Sequence, residues 1–386
     1  MKITIACKYF SMRGGAQTFL LNFARRLIRD GHSVKVIAME IEGEMDGIET
    51  QRVPMPPVPK TFRDVIFAKK TEKLLQDDDA DLIFGEQKTW GADVVRPGGG
   101  VHKEYISQVI KSYPTPTSRL LHGITKRLSL KEYMNLYIER NLYNDPGLKC
   151  VIANSNLVKR HVLKHYPHLK EKITVVYNGA DCRRFTPELK RHRRSVTSQL
   201  NIPSDAHIAS FVSFDLRRKG ISTALQAMAL LRSRSPKKPF YLIVVGKEKG
   251  WARRLAKKLG VNEQVRFTGP KEPDTYYGAS DIFVLPTFFD PCANVTFEAL
   301  ACGLPVLTSA QNGAYDRLTP GENGFYIEDA ADATTLAGFW EHFFDRGKLA
   351  EASESARKLA LSHTVDDMFD ELMEVLARTH QNQTGS

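Results

Sequence analysis

Short apolar runs punctuate the chain at regular intervals. Ile3–Ala6, Ser33–Ala38, Leu82–Phe84, Cys150–Ala153 and Ile173–Tyr177 form one series, and Ile208–Ser213, Tyr241–Val245, Val265–Gly269, Asp281–Pro286 and Pro305–Leu307 form a second. Runs this short, bounded by Gly and polar residues, predict buried parallel strands. Between them the apolar residues change period. Phe19, Leu20, Phe23, Leu27 and Ile28 recur at helical spacing, as do Val65, Ile66, Ala68, Leu74 and Leu75 within Thr61–Gln76, and Ala224, Leu225, Ala227, Met228, Leu230 and Leu231 within Ile221–Arg232. Strand and helix patterns therefore alternate twice over, which predicts an α/β protein of two doubly wound, Rossmann-like domains.

Two regions depart from the alternation. Residues 103–145 carry apolar positions such as Tyr105, Ile106, Leu120, Leu121, Ile124, Leu128, Tyr133 and Tyr137 interleaved with Lys103, Lys111, Arg119, Lys126, Arg127, Lys131 and Arg140. Pro114 and Pro116 break this stretch into at least two helices. From Ala331 onward the pattern is helical, ending in a helix over about Val365–Arg378.

In open α/β sheets, ligands sit beyond the carboxyl ends of strands, where helix N-termini offer free N–H groups to phosphate. The loops at those ends therefore hold the candidate chemistry. Arg13-Gly14-Gly15-Ala16 is a Gly-rich turn that lets backbone approach a ligand, but it is not a GxGxxG dinucleotide fingerprint. Arg96-Pro97-Gly98-Gly99-Gly100-Val101 places His102 in a loop. Asp215-Leu216-Arg217-Arg218-Lys219-Gly220 is a cationic loop between a strand and a helix, where a pyrophosphate would lie. Asp290 lies in the loop before a helix over about Asn294–Cys302, and Glu298 lies eight residues further on, about two turns into that helix. One acid at the loop and one on the helix can grip two parts of one polar ligand, such as a sugar and a ribose. Asp77-Asp78-Asp79-Ala80-Asp81 contains a DxD, the spacing of a metal and sugar-nucleotide motif; here it reads as a polar turn entering the next strand.

The stretch Asp290, Glu298-Ala299-Leu300-Ala301-Cys302-Gly303-Leu304-Pro305-Val306 resembles the signature of the family 4 retaining glycosyltransferases, which usually carry Glu where Asp290 stands. Asn178-Gly179-Ala180-Asp181, followed by Phe185 and Pro187, resembles that family's connection between its two domains. Lys219-Gly220 resembles its diphosphate-binding loop, although Ser213-Phe214 replaces the usual Gly-Arg. The resemblance covers nearly the whole chain. Lys8-Tyr9-Phe10 with Gly14-Gly15, Arg218-Lys219-Gly220 and the basic stretch after Gly100 are similar to the lipopolysaccharide core glucosyltransferase type within the family.

The resemblance implies a GT-B fold, with two domains facing a central cleft: an acceptor-binding domain over 1–181, with the last helix crossing back to it, and a nucleotide-sugar domain over 182–364. It implies transfer of a hexose, with glucose from UDP-glucose favoured, to a glycolipid hydroxyl with retention of configuration. Arg218 and Lys219 would hold the diphosphate in place of a metal, with Arg217 the competitor for the first role. Asp290 and His102 would reach the donor sugar and Glu298 the ribose. Gly14 and Gly15 would face the phosphate, the loop at Gly246 would approach the base, and the helix N-terminus at Asn294 and Val295 would meet the leaving group. No metal cofactor is expected.

Charge adds a partner. The chain has 55 Lys and Arg against 44 Asp and Glu, and residues 103–172 alone hold 13 against 5. Such a face seeks a polyanion. Basic helices interleaved with aromatic residues suit an anionic membrane surface, and no RNA-binding motif accompanies them, so no nucleic-acid partner is expected. The apolar opening is too short for a signal peptide and no apolar run reaches membrane-spanning length, so the expected location is cytoplasmic, peripheral on the inner face of a membrane. Five scattered cysteines without a CxxC pair predict reduced thiols. Two other readings stay open: transfer to a soluble acceptor, and donor binding without catalysis, which the Asp290 departure keeps alive.

Overall fold

The computed structural model describes residues 1–11, 15–43, 46–248 and 250–384. The chain divides into two compact units, one of residues 1–107, 116–177 and 368–386, the other of residues 108–115 and 178–367.

The first unit holds a seven-stranded parallel sheet. Its strands are β1 (Lys2–Phe10), β2 (Ser33–Ile41), β3 (Ile48–Arg52), β4 (Leu82–Glu86), β5 (Val94–Arg96), β6 (Cys150–Ala153) and β7 (Ile173–Val175), in the order β3-β2-β1-β4-β5-β6-β7. Ile3 to Cys7 are buried on both faces of β1, which explains the unbroken apolar run in place of alternation. The pairings Ile5↔Val36 and Ile5↔Phe84 set β1 at the centre. The Gly15–Arg29 helix covers one face, with the Phe23 ring centroid 5.2 Å from that of Phe84. At the amino ends of the strands, the Asp78 carboxylate takes Lys35 Nζ at 2.8 Å and the Thr4 hydroxyl at 2.8 Å, while Asp81 accepts from the Lys2 N–H at 2.7 Å. The acidic run thus staples this edge.

Three helices, His102–Lys111, Pro116–Arg127 and Leu130–Tyr143, occupy the basic region. The third buries Ile138, Leu142 and Tyr143 and is capped by Ser129, but the second buries no residue. No described helix is long and apolar enough to cross a membrane.

The second unit holds a six-stranded parallel sheet of β8 (His207–Val212), β9 (Phe240–Val245), β10 (Val265–Gly269), β11 (Ile282–Leu285), β12 (Val306–Ser309) and β13 (Gly324–Ile327), in the order β10-β9-β8-β11-β12-β13. The helix Ile221–Arg234 buries Ala224, Leu225, Ala227, Met228 and Leu231 of the set expected from its periodicity, and leaves Leu230 half-buried. Each unit is a Rossmann-like doubly wound sheet. Two sequence expectations need correction. Gly15 begins a helix and does not sit in a turn, and His102 is the first residue of its helix and does not sit in a loop. Gly14 lies outside the described residues.

Candidate active site

In the second unit the strand order turns between β8 and β11: β9 and β10 lie to one side, β12 and β13 to the other. Such a switch point leaves a crevice at the carboxyl ends of the two central strands. The Ser213–Gly220 loop leaves β8 there and the Pro286–Ala293 loop leaves β11. Gly220 has φ +80°, and a Cβ on it would run into the Pro286 carbonyl oxygen. Gly246, φ +143°, lies as closely against the Ser213 carbonyl. The two glycines let the β8 loop pack backbone-to-backbone against the loops after β11 and β9.

This packing brings Lys219 and Asp290 into an ion pair, with the residues 9% and 7% exposed. Burial, then the neighbouring Arg218, pulls the Lys219 ammonium well below the ordinary lysine value. The Asp290 carboxylate acts in the opposite sense, because an adjacent negative charge favours the protonated amine. Arg218 Nη1 donates to the Phe289 carbonyl at 2.7 Å and Nε to Asp215 at 3.2 Å, while its own carbonyl accepts from Phe288 N at 2.8 Å. Arg218 therefore fastens the loop bearing Asp290. The guanidinium of Arg217 lies 4.3 Å from the Trp251 ring centroid and 4.9 Å from that of Tyr113.

The Asn294–Ala301 helix points its N-terminus into the same crevice, and Ala293 supplies no side-chain cap. Asn294 is exposed and Val295 half-buried. The loop before the helix is held from two sides. Asn312, fully buried, accepts from Ala293 N at 3.1 Å and donates to Thr296 at 2.9 Å and Thr308 at 3.1 Å. Asn178 donates to the Cys292 carbonyl at 2.8 Å and to Asn294 Oδ1 at 2.6 Å. Glu298 accepts from the Tyr277 hydroxyl at 2.9 Å, and burial pushes its carboxyl up to about 7 against that hydrogen bond. Arg184 stands nearby in charge terms, bound bidentately to Asp274 at 2.7 Å.

Lys219, Arg218, Asp290 and the helix N-terminus at Asn294 and Val295 thus come together around one crevice. Glu298 keeps to its pair with Tyr277, and Gly246 serves as a packing contact in the loop after β9. Tyr277, Asn178 and Asn312 were not foreseen as site residues. For Asn178 and Asn312 a signal existed, because each opens an Asn-Gly turn; Tyr277 carries none.

In the first unit, His102 Nε2 meets Glu132 at 2.6 Å, and Lys126 closes on the same carboxylate. Burial holds the imidazole below its ordinary value, with Glu132 opposing. The His102 N–H donates to Glu139, whose buried carboxyl rises to about 7. At the carboxyl end of β1, Lys8 and Lys88 share Asp64 at 2.5 and 2.6 Å.

Residues 13–184 match the family described as Glycosyltransferase Family 4, and residues 193–359 match Glycosyl transferases group 1. A D-inositol 3-phosphate glycosyltransferase of Corynebacterium urealyticum is 27% identical over 235 residues, 58% of this chain and 55% of that protein. One of Nocardiopsis dassonvillei is 25% identical over 396 residues, 92% of this chain and 89% of that protein. The chain spans about half the length of the first curated relatives it matches. Among solved structures, WaaG, a glycosyltransferase involved in lipopolysaccharide biosynthesis, superposes with a TM-score of 0.79 at 21% identity, covering 97% of this chain and 99% of that one. Anabaena Alr3699/HepE, solved in complex with UDP-glucose, gives 0.69 at 20% identity, covering 98% and 100%. These two likenesses speak for the fold. With the two family matches adjoining and together spanning most of its length, the chain belongs to the family 4 and group 1 glycosyltransferases and has their GT-B fold.

Proposed function

We propose that the protein transfers a hexose from a nucleoside-diphosphate sugar to a hydroxyl of a glycolipid, with UDP-glucose as donor and a lipopolysaccharide core as acceptor. The observation that carries this is the buried Lys219–Asp290 pair at the switch point of the second sheet, beside Arg218 and an uncapped helix N-terminus. UDP-glucose in Alr3699/HepE and lipopolysaccharide biosynthesis in WaaG support the choice of donor and acceptor.

In this mechanism the leaving diphosphate gains charge as the sugar departs. Lys219, with the N–H groups at Asn294 and Val295, neutralises it without reorganisation, and Arg218 holds the loop geometry and adds charge. Asp290, paired with Lys219, accepts from donor sugar hydroxyls, and Glu298 accepts from the ribose. The acceptor attacks from the face the diphosphate leaves, with a phosphate oxygen taking its proton, so configuration is retained. His102, its imidazole held below the ordinary value by burial with Glu132 opposing, is the first unit's candidate for the donor sugar. No metal takes part.

The acceptor's location follows from a surface of the first unit. Leu120, Leu121, Leu128 and Tyr133 are 61–80% exposed, among Arg119, Lys126, Arg127 and Lys131. Apolar side chains beside cations suit the headgroup boundary of an anionic bilayer, which supports a peripheral position on a membrane's cytoplasmic face. A soluble phosphorylated acceptor is the second reading, favoured by the name shared by the curated relatives.

The test is thermal stabilisation by UDP-, GDP- and ADP-sugars with EDTA present. A ligand at ~100 times its dissociation constant adds ~2.7 kcal/mol to the folded state. Stabilisation by one series is expected and names the base; stabilisation by none, or only after a divalent cation is restored, overturns the metal-free donor site. Vesicles containing anionic lipid then separate the acceptors, since only the glycolipid reading expects binding.

A further inference from the structure

Two side chains of the β8 loop are left over once Lys219 and Arg218 are accounted for. Phe214 is 79% exposed, more than any other large apolar side chain described in the second unit; Leu361 follows at 51%. The Arg217 guanidinium makes no hydrogen bond or ion pair among the described residues, whereas Arg218 is tied to Phe289 and Asp215 and Lys219 to Asp290. What Arg217 has instead is a ring on each side, Trp251 and Tyr113. Stacking of this kind fixes the plane of a guanidinium and leaves its N–H edge to point outward. A folded chain gains nothing from a bare ring in water beside an unused but oriented cation; a ligand with a flat face and an anionic group would use both.

Their place in the loop says which part of the ligand. The Ser213 carbonyl lies against Gly246, and Trp251 follows that same loop after β9. Arg217 therefore faces the β9 side of the switch point, Phe214 follows the residue packed there, and Lys219 faces β11 and Asp290. A donor with its diphosphate at Lys219 and its sugar at Asp290 extends its other half toward Phe214 and Arg217.

We infer that Phe214 and Arg217 grip the nucleoside half of the donor, the Phe214 ring stacking on its flat face and the Arg217 edge binding the phosphate on that side. The inference rests on the donor site proposed above. It also accounts for Ser213-Phe214 where the resembled family carries Gly-Arg: a ring stands at the strand end, and the cation is supplied three residues later.

The experiment compares UDP with inorganic pyrophosphate, the first measured by calorimetry and the second by its displacement of UDP. Phe214 is exposed, so Phe214→Ala should melt with the parent, and Arg217 is half-buried with only ring contacts at its guanidinium, so Arg217→Ala should melt within a few degrees of it. Base stacking on an aromatic ring is typically worth about tenfold or more in affinity. Phe214→Ala should weaken UDP by about tenfold and change pyrophosphate by less than about twofold, while Arg217→Ala should weaken both by about tenfold. Unchanged UDP affinity in Phe214→Ala, or equal losses for UDP and pyrophosphate in that variant, overturns the inference and leaves the donor site standing. A parent protein that binds no nucleoside diphosphate overturns both.

Discussion

Replacing Lys219 by methionine keeps the length of the side chain and removes its charge. Asp290, 7% exposed, then loses the cation it is paired with. Removing one partner of a buried ion pair typically destabilises by about 3–5 kcal/mol, because the remaining charge is neither solvated nor paired. The second unit runs from Asn178 to Asp367 apart from one short segment. For units of that size each kcal/mol moves the melting temperature by about 2–4 °C, so Lys219→Met should melt about 6–20 °C below the parent. Lys219→Met/Asp290→Asn, which leaves a neutral amide, should recover most of that loss. Turnover separates the two roles of the pair. Both variants should stay at least about 100-fold below the parent in sugar transfer, since neither can neutralise a leaving diphosphate. Differential scanning calorimetry reads the first quantity, and release of nucleoside diphosphate reads the second. A single variant melting within about 2 °C of the parent, or a double variant no more stable than the single, would refute the claim that the pair is a buried charge pair.

The remaining predictions concern the frame around it. Glu298 has its carboxyl raised from 4.5 to about 7, so its contribution is whole below about pH 4.5 and is lost as pH rises through 7; stability of the ligand-free second unit should fall over that window, by a few kcal/mol at most, and Glu298→Gln should flatten the slope. Gly246→Ala puts a methyl group into the Ser213 carbonyl at a positive φ, and should lower stability by about 1–3 kcal/mol in denaturant titration while weakening UDP binding. Leu120→Ser/Leu121→Ser should abolish flotation with anionic vesicles without changing the melting temperature or donor binding, because neither side chain is buried.

Most of the βα framework was legible because these sheets are covered on both faces, and a buried strand such as Ile282–Leu285 has to be an unbroken apolar run. Of the three strands absent from the two series, Ile48–Arg52 and Gly324–Ile327 are sheet edges, where one side lacks a neighbour and polar or glycine residues are tolerated, and Val94–Arg96 is only three residues long. The Asp290–Glu298 spacing was legible because it is local. The pairing of Asp290 with Lys219 was not, because 71 residues separate them and only the adjacency of β8 and β11 joins them. Tyr277 was invisible for the same reason: nothing near it in the chain announces that its hydroxyl will meet Glu298. His102 misled through its neighbours, since three glycines promise a loop and Val101 already leads into a helix.

The last helix, Val365–Thr384, starts among residues of the second unit and continues into the first, where Phe369 packs on Phe19 and Phe23 and Leu372 and Leu376 are fully buried. Domains usually complete their folding in the order the ribosome makes them. Here the opening helix Gly15–Arg29 waits for partners some 350 residues downstream, so the second unit can close while the first still exposes Phe19 and Phe23. A nascent chain stalled before residue 369 would therefore present an open aromatic seam, and it is at that stage of synthesis that the protein would call on a chaperone.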